Sequence, residues 1–433
     1  MLYAAIILFL SSCSPSYQFS SFRDHVRGLL SSRIRLHLNG SKTDVDIKND
    51  AHDRCWQSSS DDIEPNLLQL AQSHFMGEAL LALLRLGVFD VLQTTDALSV
   101  DDIIIAINKE KNIQTSTINR EALLRCLRLV CTSGVAKETS KQAHDGMEAA
   151  YLATGMGARL RTTTSEESMA PFLLHWLESP LWDAWKYLPE YVQSDSDKNN
   201  PPFDRANGMS ASEFYASASN AESCLHRNSV ARWASSKEIA SITEAMKQSS
   251  HLNESFLAGK VVVDVGGGYG DFGIALKEFG CKCYCLDLPE VIADATSEAH
   301  IKDNVNMPTL VAGNMFDAST IPTPCDVIFT KHVLCDFSDD DVILALQSFR
   351  KALANSKEAK VVIMDAVLPN GDDLNGKWNA AVSFDVLLML SGRRGERSIM
   401  EWSNLANKAG FVVEEVLATT SVTVDLAVLS LGS

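Results

Sequence analysis

From about residue 256 onward, short apolar runs alternate with segments of helical spacing. Val261, Val262, Val263 and Val265 stop at a glycine cluster, and Phe272, Ile274, Ala275, Leu276 and Phe279 then recur at helical spacing. A short apolar run followed by that spacing predicts a strand buried on both faces, a tight turn and a helix. The alternation continues to the C-terminus, with strands expected over 261–265, 282–286, 309–312, 325–330, 360–367, 411–417 and 422–430. Helices are expected over 271–279, 290–299, 339–353, 376–390 and 398–409. Alternating strand and helix predicts an α/β fold with a doubly wound parallel sheet of seven strands. The short turn between the last two strands makes the final one antiparallel.

Upstream the pattern is helical. Leu67, Leu70, Ala71, Phe75, Ala79 and Leu83 share one face of a predicted helix within 66–92, and two amphipathic helices follow at 101–108 and 120–130. Cys131–Glu138 then reads as the start of a β-wing. Residues 165–247 are helical and rich in aromatics, with Trp176, Trp182 and Trp185 in one short stretch. Residues 2–10 are apolar, too few for a comfortable membrane span, and 11–42 are rich in Ser and Arg. The expected division is 1–63 presequence and linker, 64–164 first domain, 165–250 helical connection and 251–433 α/β domain.

Charge narrows the partners. The 433 residues carry a net charge of −17, which argues against nucleic acid and for a small-molecule substrate. The helix 120–130 has no dense basic face. The ten cysteines include no CxxC pair, which fits a reducing compartment. Cys281, Cys283 and Cys285 alternate on one strand, where three ligands cannot close a tetrahedron, so they read as core thiols and no metal is expected.

The stretch VVVDVGGGYGDFG carries the chemistry. Gly268, Gly270 and Gly273 spell the dinucleotide GxGxxG, which alone is weak. The register favours another reading: the strand stops at Val265, so Gly266 is the first turn glycine, Gly266, Gly268 and Gly270 form GxGxG, and Asp264 sits just before them. About 20 residues on, Asp287 ends the next strand, where an acid accepts from both hydroxyls of a ribose. DVGGGYG followed by DLPEVI, with Asp287 and Leu288, resembles the signature of the plant and fungal S-adenosylmethionine-dependent O-methyltransferase family, which includes hydroxyindole O-methyltransferases.

The resemblance runs from about Pro65 to Ser433. It implies a seven-stranded Rossmann-like methyltransferase domain preceded by a winged-helix dimerisation domain, hence a homodimer, with S-adenosyl-L-methionine as cofactor and a small-molecule methyl acceptor. VAGNMFD resembles the family's GDMF segment, with Asn314 in place of the usual Asp and Met315 against the adenine. CDVIFTKHVLCDFSDDD resembles the family's D…K.vLHDWsDe block, with Lys331 toward the cofactor and Asp336 retained. The family's catalytic His, which takes the acceptor's proton, falls on Cys335. An ordinary thiol is a weak base, and His332, three residues earlier, is the other candidate. Asp365 and Glu396 match acids that in relatives flank and hold that His. PFDRANGMSASEFY resembles the acceptor-lining segment, which singles out Met209 and Phe214, with Trp176 nearby.

A missing base changes the expected chemistry. Methyl transfer is an in-line displacement in which alignment supplies much of the rate, and a thioether sulfur has no proton to lose. Some relatives are methylthiohydroxybutyrate S-methyltransferases of dimethylsulfoniopropionate synthesis, and the N-terminal stretch resembles a bipartite presequence of algae with complex plastids. The expectation is therefore S-methylation of a thioether acid in an organelle, plastid or mitochondrion. The alternatives are O-methylation of a phenolic or indolic hydroxyl, a descendant that binds the cofactor without catalysis, and a nicotinamide dehydrogenase. A carboxylate on the acceptor would pair with Arg161, Arg205, Arg227 or Arg393.

Overall fold

The computed structural model describes residues 60–432, apart from 115–116, 145, 163–166, 179, 194–199, 298–305, 357, 370–378 and 422. The expected presequence thus lies almost wholly outside the described residues. The chain divides into two compact units, one ending at Arg161 and the other beginning at Thr162.

In the N-terminal unit the first helix, α1 (Ser60–Leu86), begins before the expected start near Pro65. Helices α2 (Val100–Glu110) and α3 (Arg120–Thr132) follow. Ser99 caps α2 in a reciprocal capping box with Asp102, and Asn119 caps α3, each satisfying amides that a helix start leaves unpaired. Strands β1 (Leu98–Ser99), β2 (Ala136–Ala143) and β3 (Gly146–Ala153) form an antiparallel sheet in the order β1-β3-β2.

The second unit holds the larger sheet. Its strands are β4 (Val261–Val265), β5 (Lys282–Asp287), β6 (Thr309–Ala312), β7 (Val327–Lys331), β8 (Lys360–Asp365), β11 (Phe411–Leu417) and β12 (Asp425–Leu431). Their order is β11-β12-β8-β7-β4-β5-β6, parallel except for β12, which runs antiparallel to both neighbours. Both faces are covered. Val263 and Val265 of β4, with Val361 and Ile363 of β8, pack on one side against helices Asp339–Ala352 and Ile399–Ala409. Val262, Val362 and Met364 pack on the other against helix α4 (Ala221–Gln248) and helix α5 (Asp271–Leu276). The period of two in each strand sends successive side chains to opposite cores. Each fully buried aliphatic chain contributes about 1.5–3 kcal/mol.

The expected strand 360–367 is in fact two. β8 stops at Asp365, and β9 (Val367–Leu368) leaves the sheet to pair in parallel with β10 (Arg397–Ser398), Val367 opposite Arg397 and Leu368 opposite Ser398. This short pairing sets the site described below.

One charged residue sits inside the packing of α4. Glu238 is fully buried, and its carboxylate accepts from Lys331 Nζ at 3.2 Å and Thr423 Oγ1 at 2.9 Å, with His332 Nε2 at 3.1 Å. It joins α4 to the end of β7 and to the turn before β12. Burial opposes its ionisation, yet interaction with His332, which includes a hydrogen bond, and the charge of Lys331 hold it well below the ordinary carboxylate range. Burial lowers His332 to about 4, so the imidazole is neutral at pH 7 and Lys331 is the cation that matters. A carboxylate with a depressed folded pKa stabilises above its unfolded pKa, and that contribution is lost as pH falls through the folded value. Glu238→Gln leaves Lys331 without its counter-charge and is expected to cost about 3–5 kcal/mol. The variant should also show a weaker acid limb in thermal unfolding below about pH 4.5. A melting temperature equal to wild type at pH 7 would show that the network is not structural.

Candidate active site

The strand order reverses between β4 and β7, and in open α/β sheets the crevice at such a point takes the ligand. The loop after β4 lines it. A side chain at Gly266 would lie 2.4 Å from Val333 Cγ2, and one at Gly267 2.5 Å from Asp264 Oδ2 and 2.7 Å from Cys285 Sγ. Those two glycines serve the protein's own packing. Gly268 differs: its φ is +57°, and a Cβ there would meet nothing within 4 Å. It faces open space, where a ligand can approach the backbone closely. Gly270, at φ +85°, precedes α5 and would press on Pro308 at 3.0 Å.

Asp287 organises the loop from the end of β5. Its Oδ2 accepts from Gly268 N–H at 2.8 Å and its Oδ1 from Leu288 N–H at 2.7 Å. Each oxygen keeps a lone pair, as two ribose hydroxyls require. Leu288 is 45% exposed beside it. Asp264 is buried, its Oδ2 lacks a partner, and burial raises its pKa to about 7. A buried orphan oxygen at the crevice fits a cationic ligand carrying a ribose, which S-adenosylmethionine is.

Other expected cofactor contacts differ in detail. Asn314 Oδ1 accepts from Phe316 N–H at 3.0 Å, which leaves that oxygen one lone pair for a ligand. Met315 is packed into the core, 8% exposed, and Phe316 stands free beside it at 39%, edge-to-face with Phe337. Lys331 is tied to Glu238.

At the acceptor end, the turn Leu334–Asp336 carries Cys335. Cys335 Sγ and one oxygen each of Asp365 and Glu396 lie within 4.8 Å of one another, all three buried. The four carboxylate oxygens of the two acids have no hydrogen-bond partner. The β9–β10 pairing creates this juxtaposition, because Asp365 lies two residues before Val367 and Glu396 one before Arg397. Gly395, at φ +96°, donates its N–H to Cys335 O at 2.9 Å, and Glu396 N–H is held by Asp385 Oδ1 at 2.7 Å. Burial raises Asp365 to about 7, against the pull of Arg397, and pushes Glu396 well up, with Asp365 adding to it. The Cys335 thiol is likewise pushed well up by burial and then by both acids, so it stays protonated.

His332 does not enter this group. At φ +53° it turns its ring onto Glu238, with Nε2 3.1 Å from that carboxylate and Nδ1 buried without a partner. Asp336 is neutralised by Arg393 Nη1, 2.5 and 2.7 Å from its two oxygens. Arg397, fully buried, is a residue that sequence reasoning missed. It donates to Leu334 O, Phe337 O and Asp339 Oδ1 and stacks on Trp402 at 5.0 Å, which fixes the turn bearing Cys335.

Helix Ala380–Leu390 connects the acids to the aromatics. Ala380, Ala381, Phe384 and Leu388 pack on Cys335, whereas Leu387 and Leu390 reach the cluster of Phe203 with Trp176, Phe214 and Tyr215. Phe214 and Trp176 thus stand in the expected region, and Met209, 40% exposed, is outside the cluster.

A sequence model of the O-methyltransferase domain matches residues 185–412. The chain is 30% identical over 291 residues to caffeic acid 3-O-methyltransferase of Zinnia elegans, covering 66% of this chain and 75% of that one. It is 30% identical over 313 residues to acetylserotonin O-methyltransferase of Arabidopsis thaliana, covering 68% and 75%. The crystal structure of human N-acetylserotonin methyltransferase with S-adenosylmethionine shares the fold, with a TM-score of 0.65 at 20% identity over 87% of this chain and 99% of that one. With the seven-stranded sheet and the glycine loop already in place, these matches show that the chain is an enzyme of the S-adenosylmethionine-dependent O-methyltransferase family.

Proposed function

We propose that this enzyme methylates a small-molecule hydroxyl and that the Asp365–Glu396 pair, in place of a histidine, takes the proton. The observation that carries the reading is the pair of buried, unpartnered carboxyls beside Cys335. The cofactor supplies a methyl group already activated by a sulfonium.

The chain's residues do the rest. Gly268 and Asp287 hold the nucleoside end. Two carboxyls this close cannot both ionise cheaply, so near neutral pH the pair shares a proton. Its remaining carboxylate has a proton affinity suited to general-base work at that pH. A phenol, ordinarily at a pKa near 10, needs such a base.

A second reading keeps the thioether acceptor, 4-methylthio-2-hydroxybutyrate, in dimethylsulfoniopropionate synthesis. Cys335 favours it: the protonated thiol is no base, and the adjacent acids suit a sulfonium product. The relatives named above favour the hydroxyl. A homodimer is supported by the exposed row Leu67, Leu68, Leu70 and Phe75 on α1. Organelle targeting by residues 1–63 belongs to the same proposal.

Full-length protein is to be incubated with S-adenosylmethionine and either caffeate or 4-methylthio-2-hydroxybutyrate, with products read by mass spectrometry. A methylated phenol is expected; a sulfonium product with no methylated phenol would move the assignment to S-methylation. With a hydroxyl acceptor, kcat/KM should rise with pH through about 7 as the doubly protonated pair loses its first proton and one carboxylate becomes free. Asp365→Asn should lower kcat by about 10²–10⁴-fold, and Cys335→Ser should keep it within about threefold, since the thiol stays protonated. A collapse of activity in the serine variant alone would overturn the carboxylate base. At the other end, Gly268→Leu should fold but lose S-adenosylmethionine binding in calorimetry, whereas Gly267→Leu should fail to fold, because its side chain meets Asp264 and Cys285. Retained binding in Gly268→Leu would sink the cofactor assignment.

A further inference from the structure

Arg227 lies on α4, and among the described residues its guanidinium has no hydrogen bond and no ion pair. Its one close contact is the face of Tyr215, 5.0 Å from the ring centroid. The other arginines weighed for an anionic acceptor are engaged. Arg393 is held by Asp336, and Arg161 donates to Leu92 O at 3.0 Å in the N-terminal unit.

Arg227 is reachable by solvent, yet surrounding protein desolvates it enough to lower its pKa, with Arg393 adding repulsion. Asp336, already paired with Arg393, is the carboxylate whose charge reaches it. The Tyr215 hydroxyl is buried with no partner, as is the Trp176 indole N–H in the same aromatic cluster. His175, whose ring lies 5.9 Å from that of Tyr215, is lowered by burial to about 4 and carries no charge at pH 7. The guanidinium carbon lies over the Tyr215 ring, 5.0 Å from its centroid, a contact of the kind that pre-organises an arginine fork. The anion that matches a planar fork bidentately, with a hydroxyl donor beside it, is a carboxylate.

The cluster belongs to the acceptor region. Tyr215 and Trp176 pack with Leu387 and Leu390 of the helix whose other face covers Cys335, and Arg393 bridges to Asp336, next to Cys335. We infer that Arg227, with the Tyr215 hydroxyl, anchors a carboxylate on the methyl acceptor, so that acceptors are acids rather than neutral molecules. The inference rests on the methyl-transfer reading for the identity of the occupant, and it is tested without turnover.

Full-length protein saturated with S-adenosylhomocysteine is titrated in a calorimeter with caffeate and its amide, and with 4-methylthio-2-hydroxybutyrate and its methyl ester. At least one acid should bind about 10–100-fold more tightly than its neutral partner, the range for hydrogen bonds to a charged group. Arg227→Gln should remove that preference. Arg227→Lys should restore part of it, and Tyr215→Phe should weaken it, with S-adenosylhomocysteine affinity and melting temperature unchanged in all three. Equal binding of acid and neutral partner, a preference that survives Arg227→Gln, or no binding of either acid would overturn the anchor. Binding through Arg227 without methyl transfer would count against the proposed reaction and leave the anchor standing.

Discussion

Negative charge is gathered at the C-terminal ends of the parallel strands with too little positive charge to match it. Asp264 ends one apolar strand and Asp365 another, and Glu396 is brought beside Asp365. All three are buried, and each has at least one carboxyl oxygen without a partner. Isolated buried carboxylates are costly, and such groups respond by holding a proton or by meeting a cation. Glu238 shows the satisfied alternative, with Lys331, Thr423 and His332 around it. The open acids are therefore places where positive charge must arrive, as a proton or as the cationic sulfonium of the cofactor. The crevice is built as a receiver of cations.

The sheet was legible because its signals are local. Apolar runs ending in glycine or acid gave β4 and β5, and the register of the glycines separated the methyltransferase loop from the dinucleotide one. The nest around Cys335 was only half legible. Its three residues stand in recognisable segments, but what joins them is a parallel pairing of two-residue strands, β9 and β10. Two residues carry no periodicity, so 360–367 reads as one strand. The break after Asp365 shows only when Arg397 is seen opposite Val367.

Glu238, Arg397 and Arg227 were harder still. Glu238 meets residues 93, 94 and 185 positions away, and Arg397 meets residues about 60 away. A glutamate within a long helix or an arginine after a glycine reads as surface charge unless the partners are known. His332 is the reverse case. It stands three residues before the expected base position, which made it a reasonable candidate. The backbone at φ +53° and the pull of Glu238 turn it out of the site.

Size explains how a thiol can stand where relatives place an imidazole. Cys335 packs among Ala366, Ala380 and Ala381, with Phe384 and Leu388 around them, and there it behaves as a small apolar side chain. An imidazole would fill the space between the acids and the acceptor, and would relay the proton. A thiol fills less of it. On the proposed reading the acceptor atom approaches the carboxyl pair directly, and the pair takes the proton itself. Losing the histidine thus need not silence the site, because the acids that once supported the base are left buried, adjacent and short of a proton.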